Sequence, residues 1–138
     1  MKLTAFVDGS CLGNPGKAGF GFVIQDEEGN VLEEKGVYIG QGTNNIAEYR
    51  SMIGCLESMI KYSPEQVTVY ADSQLMVNQI NGVYKVKKLH LQELYSRAVS
   101  LIKEIPGRVV IEHIPREKNA RADSLARTAV SKQEDINI

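Results

Sequence analysis

Lys2-Leu3-Thr4-Ala5-Phe6-Val7-Asp8-Gly9-Ser10-Cys11-Leu12-Gly13-Asn14-Pro15-Gly16 runs from an apolar segment into an acid and then into a glycine-rich stretch. Residues Lys2 to Val7 predict a strand, which the stretch Gly9 to Gly16 breaks before a second strand, Phe20-Gly21-Phe22-Val23-Ile24. The turn Asp26-Glu27-Glu28-Gly29-Asn30 closes a hairpin. A third strand over Val31 to Ile39 completes an antiparallel meander, and its polar start suits a sheet edge.

Beyond the meander the apolar period changes. Ile46, Tyr49, Ile53, Leu56 and Ile60 recur at three- and four-residue intervals, which predicts a helix with one buried stripe and leaves Glu48 outside it. After Ser63-Pro64, the run Val67-Thr68-Val69-Tyr70-Ala71 predicts a short strand ending on Asp72, and Ser73 to Ile80 a brief helix. Strand, helix, strand in that order points to a parallel crossover. Leu91, Leu94, Tyr95, Ala98, Ile102 and Ile105 mark an amphipathic helix that stops at Pro106-Gly107, and Val109 to Ile114 is a fifth strand. A last helix starts at the candidate N-cap Asn119, with Ala122, Leu125, Ala126 and Ala129 on its buried face and Asp123 beside it. The polar segment Ser131 to Ile138 is expected to fray, giving one domain over residues 1–130 and a tail over 131–138.

Asp8, Glu48, Asp72 and Asp123 therefore stand at strand ends and helix starts, where open α/β sheets gather their ligands. Carboxylates packed within a few ångströms repel one another unless divalent cations lie between them, and all-oxygen ligation favours Mg2+ or Mn2+ over zinc. Singly, Glu48 and Asp123 also suit the first turn of any helix, and Asp8 and Asp72 suit turns. Bulk composition narrows the alternatives. With 138 residues and a net charge of −1, the chain has room for one core and carries no overall positive field to hold a nucleic acid, so such a partner must be held locally. Cys11 and Cys55 are too few for a disulfide scaffold and read as free thiols of a reducing cytoplasm. The N-terminal apolar run is too short for a signal peptide, no membrane span is expected, and no obligatory protein partner is evident, so a cytoplasmic monomer is the expectation.

The opening Asp8-Gly9-Ser10 with its glycine-rich continuation, Thr43-Asn44-Asn45 before Glu48, Asp72-Ser73-Gln74, and Asn119 four residues ahead of Asp123 together resemble type 1 ribonuclease H over nearly the whole chain. The resemblance implies an α/β ribonuclease H-like fold with a five-stranded mixed sheet, three antiparallel strands and then two parallel ones, flanked by helices. It implies an endonuclease that hydrolyses the RNA strand of RNA–DNA hybrids with two Mg2+ or Mn2+ ions and leaves 5′-phosphate and 3′-hydroxyl ends. The metal ligands would be Asp8, Glu48, Asp72 and Asp123, with Asp8 bridging both ions. Two metals can stabilise the attacking and leaving oxygens of an in-line displacement at once. Substrate recognition would fall to the neutral groups of Asn14, Asn44, Asn45 and Gln74, since telling RNA from DNA requires contact with the 2′-hydroxyl. Thr43 resembles the hydroxyl residue of the family's DNA-phosphate pocket. Asn44 and Asn45 also suit Asx-turn or capping roles.

Two departures from the family pattern stand out. The long basic helix and loop that clamps the DNA strand in well-studied bacterial members is missing. Only Lys85, Lys87 and Lys88 remain, near Tyr84, so the chain resembles the compact branch that includes many archaeal-type sequences, and weaker substrate binding is expected. The loop Pro115-Arg116-Glu117-Lys118-Asn119 lacks the family's assisting histidine, which leaves Arg116 or Glu117 as stand-ins. His113 falls in the apolar alternation of the fifth strand and reads as a packing residue, and His90 as an exposed helix start. Two rivals remain: a module that binds hybrid or double-stranded RNA without cutting it, and another nuclease of the same fold. Loss of one acid would mark the first, and a different acid set without the amides would mark the second.

Overall fold

A computed structural model describes residues 1–137. Six strands form one mixed sheet in the order β5-β4-β1-β2-β3-β6. β1 (Lys2–Gly13), β2 (Gly16–Gln25) and β3 (Val31–Gly42) make the antiparallel meander. β4 (Gln66–Ala71) pairs parallel with β1, and β5 (Arg108–His113) parallel with β4. The helices are α1 (Asn44–Met59), α2 (Gln74–Ile80), α3 (Leu89–Glu104) and α4 (Ala120–Lys132).

Side-chain alternation along the strands assigns the helices to faces. Gly54 of α1 lies against the rings of Phe20 and Phe22, whereas Gly19 and Gly21, next to them on β2, face α4. The core therefore lies between the sheet and the α1 side, where Val7, Phe22, Val67 and Val69 meet Tyr49, Met52, Leu56 and, from α3, Leu101. Each such side chain contributes about 1.5–3 kcal/mol by leaving water. Local chemistry sets the helix ends. Thr43 Oγ1 accepts from Ile46 N at 3.2 Å and caps α1, and Ser73 Oγ accepts from Met76 N at 3.3 Å and caps α2. Gln133 ends α4 in the left-handed region at φ 53°.

The expected five-strand outline is present, with a sixth strand added. β6 (Ile136–Asn137) pairs with Gly36 and Lys35 of β3, and Asp135 Oδ1 accepts from Tyr38 N at 3.0 Å. The segment expected to fray is thus pinned to the sheet, because β3 offers an unpaired edge. The boundary expected at residue 130 falls inside α4, and Ile138 lies outside the described residues. The glycine-rich stretch does not break the first strand either. β1 continues to Gly13, whose φ of 84° makes the turn, and Gly9 serves a close helix approach within the strand.

Candidate active site

Sheet register brings the acids together. Val7 of β1 lies beside Ala71 of β4, so Asp8 and Asp72, the next residues along two parallel chains, emerge together at the rim. On its other side Asp8 stands opposite Gly21 of β2. A Cβ at Gly21 would lie 2.5 Å from Ala122 O and 2.8 Å from Ala126 N, so the absent side chain lets α4 come close and deliver Asp123. Gly9 does the same for α1, since a Cβ there would lie 2.5 Å from both Ala47 C and Glu48 N. The Gly9 N–H donates to Glu48 Oε1 at 3.0 Å and fixes that carboxylate.

Carboxylate oxygens of Asp8, Glu48 and Asp72 lie within 4.8 Å of one another. Asp123 stands outside this trio. Its Oδ1 accepts from Arg127 Nε at 3.0 Å, although it lines the same groove and adds to the upward push on the Asp8 carboxyl. Burial first, and then the charges of Glu48 and Asp72, push the Asp8 carboxyl up to about 10. Burial also pushes Glu48 up to about 7, opposed by hydrogen bonds from Asp8 and Gly9 and by the charge of Arg116. Without metal, the Asp8–Glu48 pair is therefore pushed toward keeping a proton near neutral pH.

Two buried oxygens, Glu48 Oε2 and Asp72 Oδ2, have no hydrogen-bond partner. Unsatisfied carboxylate oxygens in a buried cluster are costly, and a hard divalent cation relieves both the missing contacts and the repulsion. The donor set consists of oxygens alone and fits Mg2+ or Mn2+.

The acids line an open groove of about 870 Å³ together with Asn44, Asn45 and Arg116. Asn14 sits in the β1–β2 turn, where its Oδ1 accepts from Asn44 N at 3.1 Å and joins the two amide-bearing segments. Thr43 uses its oxygen as the α1 cap. Gln74 is exposed at the start of α2, and Glu117 is exposed in a 3-10 turn over Arg116–Lys118; neither lines the groove. Lys85, Lys87 and Lys88 are exposed between α2 and α3 and also lie outside it.

Two further expectations change. His113 is exposed at the end of β5 rather than packed, because β5 is an edge strand on which only Ile111 is fully buried. Asn119 occupies the N-cap position of α4 but does not cap it; its Nδ2 donates to Val7 O at 2.8 Å and ties α4 to the strand bearing Asp8. Arg127 escaped the sequence reading, although its position four residues after Asp123 on a helix is the spacing of an ion pair.

Fold and site together define a sheet-rim carboxylate centre of the kind that holds divalent metal. A family model described as "Reverse transcriptase-like" matches residues 6–129. The chain is 40% identical over 131 residues to the bifunctional protein Rv2228c of Mycobacterium tuberculosis, covering 94% of this chain and 36% of that one. It thus spans about a third of the length of that relative. It is 33% identical to a ribonuclease H of Prosthecochloris aestuarii, covering 94% of this chain and 95% of the relative. The crystal structure of LC11-RNase H1 in complex with RNA/DNA hybrid superposes with a TM-score of 0.90 at 44% identity, covering 95% of this chain and 98% of that one. The chain belongs to the type 1 ribonuclease H family. Among the described residues no helix is long and apolar enough to cross a membrane.

Proposed function

We propose that this protein hydrolyses the RNA strand of RNA–DNA hybrids endonucleolytically, with Mg2+ or Mn2+, leaving 5′-phosphate and 3′-hydroxyl ends. The observation that carries the reading is the convergence of Asp8, Glu48 and Asp72 within 4.8 Å, with buried Glu48 and Asp72 oxygens left free of protein partners. Asp8, Glu48, Asp72 and Asp123 would hold two ions, which when bound supply charge stabilisation at the attacking and leaving oxygens of the phosphodiester. Ligation requires Asp8 to give up its proton, so these carboxylates both bind the ions and set the pH at which the site loads.

The remaining assignments follow the groove. Asn44 and Asn45 line it beside the acids, and Asn14 braces Asn44, which supports reading of the sugar edge of a hybrid by neutral amides. Gln74 would reach the same substrate from outside the groove, and Thr43 would meet the DNA phosphate through its hydroxyl hydrogen. Arg116, beside Glu48, is a better candidate than Glu117 for the role of the missing loop histidine, because it lines the groove. The relative solved with RNA/DNA hybrid supports this substrate class, and the chain would act as a one-domain monomer, with the α4–β6 segment that the sequence set apart from residue 131 included in the domain. Incubation with labelled hybrid, double-stranded RNA, double-stranded DNA and single-stranded RNA in Mg2+, Mn2+ or EDTA tests the proposal. The expected result is metal-dependent cutting of the RNA in the hybrid; an intact hybrid in both metals would overturn it.

A further inference from the structure

The groove continues past the acids, away from the amides. Asp8, Ser10 and Leu12 alternate along β1 and stand opposite Gly21, Gly19 and Lys17 of β2. A Cβ at Gly19 would lie 2.9 Å from Val130 Cγ2, and one at Gly21 2.5 Å from Ala122 O, so this row faces α4. On α4 the facing residues are Asp123, Arg127 and, one turn further, Val130 and Ser131. The groove thus runs on from the acids as a trough between Ser10, Leu12 and Lys17 on one side and Arg127, Ser131 and Gln133 on the other.

Arg127 lies one helical turn beyond Asp123, about 6 Å along the axis at 1.5 Å per residue. Its Nε is held by Asp123, and its side chain is 66% exposed. Among the described residues that is its one side-chain hydrogen bond, so the two terminal NH2 groups are left for a ligand. Lys17 is exposed and makes no salt bridge among the described residues. Leu12, 63% exposed, is an apolar surface beside Lys17, its cross-strand partner, on the wall opposite Arg127. A cation on each wall with an apolar contact beside one of them matches a strand that alternates phosphate and sugar.

The geometry points to a second substrate subsite in this trough. Arg127 and Lys17 bind phosphates of the cleaved RNA strand next to the cutting point, Leu12 packs on a sugar beside the phosphate at Lys17, and Asp123 orients the Arg127 guanidinium. This rests on the hybrid-cleaving reading above and adds the path of the RNA strand across the site. Arg127 acts here as a positioning residue, since it would keep the scissile phosphate over the acids by gripping its neighbour.

The test is hybrid binding by fluorescence anisotropy in Mg2+, using the full chain with Asp72→Asn to suppress cutting, over roughly 50 to 200 mM KCl. Adding Lys17→Gln and Arg127→Gln should weaken binding about tenfold, the scale of a charge-assisted hydrogen bond. The log-log salt slope should become shallower by about 1.4 to 1.8, two contacts' worth. Neutral methylphosphonate linkages placed singly along the RNA strand should weaken binding to the parent protein at one or two positions beside the cut and have no effect there on the double variant. An unchanged slope, or sensitivity confined to linkages in the DNA strand, overturns the subsite. Should the double variant melt early, Lys17→Gln alone carries the test, with a slope change of about 0.7 to 0.9 expected and none overturning it. Cleavage by the unmodified protein separates the two failures: intact hybrid sinks the function, whereas cut hybrid with an unchanged slope sinks only the subsite.

Discussion

At the acid-bearing rim, backbone contacts determine where each carboxylate lies: Gly9 N–H holds Glu48 at 3.0 Å, and a Cβ at Gly9 or Gly21 would strike α1 or α4 at 2.5 Å. Between α2 and α3 the opposite holds. Val83 is 65% exposed and Tyr84 52%, and Lys85, Lys87 and Lys88 stand in solvent with no salt bridge among the described residues. The first region is built for geometry that must hold to a fraction of an ångström, as metal ligation and phosphoryl chemistry demand. The second offers charge on flexible stems, which attracts a phosphate backbone without fixing it.

The largest effects should come from the rim. Asp8→Asn and Asp72→Asn each remove a negative ligand without changing shape, and hybrid cleavage at saturating Mg2+ should fall more than about a hundredfold. Glu48→Gln should match them. Asp123→Asn should be milder, because Asp123 lies outside the trio and shares its charge with Arg127. Turnover at the unmodified rate in the Asp8 or Asp72 variant would remove the rim from the chemistry.

Next in size is the close packing that shapes the rim. Gly21→Ala would force a methyl group against the α4 backbone and should cost about 1–3 kcal/mol in urea unfolding, with a loss of activity as Asp123 moves. An unchanged denaturation midpoint would mean that α4 gives way freely and that the acid geometry is not set by glycine.

A smaller effect is expected in the metal-free protein as pH changes. Asp8 and Glu48 bind protons more tightly folded than unfolded, so the folded state holds the extra protons above about pH 4. Their contribution is fully present below the unfolded values and is lost as pH rises through about 7 for Glu48 and about 10 for Asp8. The melting temperature in EDTA should therefore fall from weakly acidic to alkaline pH. Asp8→Asn should flatten that fall and melt higher than the unmodified protein at pH 8. If the variant melted lower, the acids would be structural partners rather than a strained cluster.

The smallest effect is reserved for the α2–α3 segment. Replacing Lys85, Lys87 and Lys88 together by alanine should weaken hybrid binding by no more than about threefold and change the salt slope by less than about one contact. A change of two or more contacts would make the segment a true clamp and abolish its contrast with the rim.

The rim was the most legible part of the chain. Asp8 and Asp72 each follow an apolar run and Glu48 lies off the buried stripe of α1, but each alone also suits a turn or helix start, and it is their joint occurrence with the flanking motifs that marks the three acids the sheet brings together. What periodicity does not carry is tertiary approach. Gly9 and Gly16 look like turn formers in sequence, yet Gly9 sits within β1 because α1 lies against it. β6 has two residues and exists only because β3 offers an edge. His113 keeps its place in the alternation while facing solvent, since its strand has no outer neighbour to cover it. Asn119 has a cap's position and sequence, but a buried strand carbonyl claims its side chain.

If the clustered carboxylates form a metal site, its metal-free form should hold protons that the metal displaces. Calorimetric titration of Mn2+ into metal-free protein at pH 7, repeated in buffers of different ionisation enthalpy, measures binding and proton release together. Asp8 is held up to about 10 and Glu48 to about 7, so between about one and two protons should leave as metal binds, and Asp8→Asn should reduce that release. Failure to bind Mn2+, or binding with no proton released, would contradict the account.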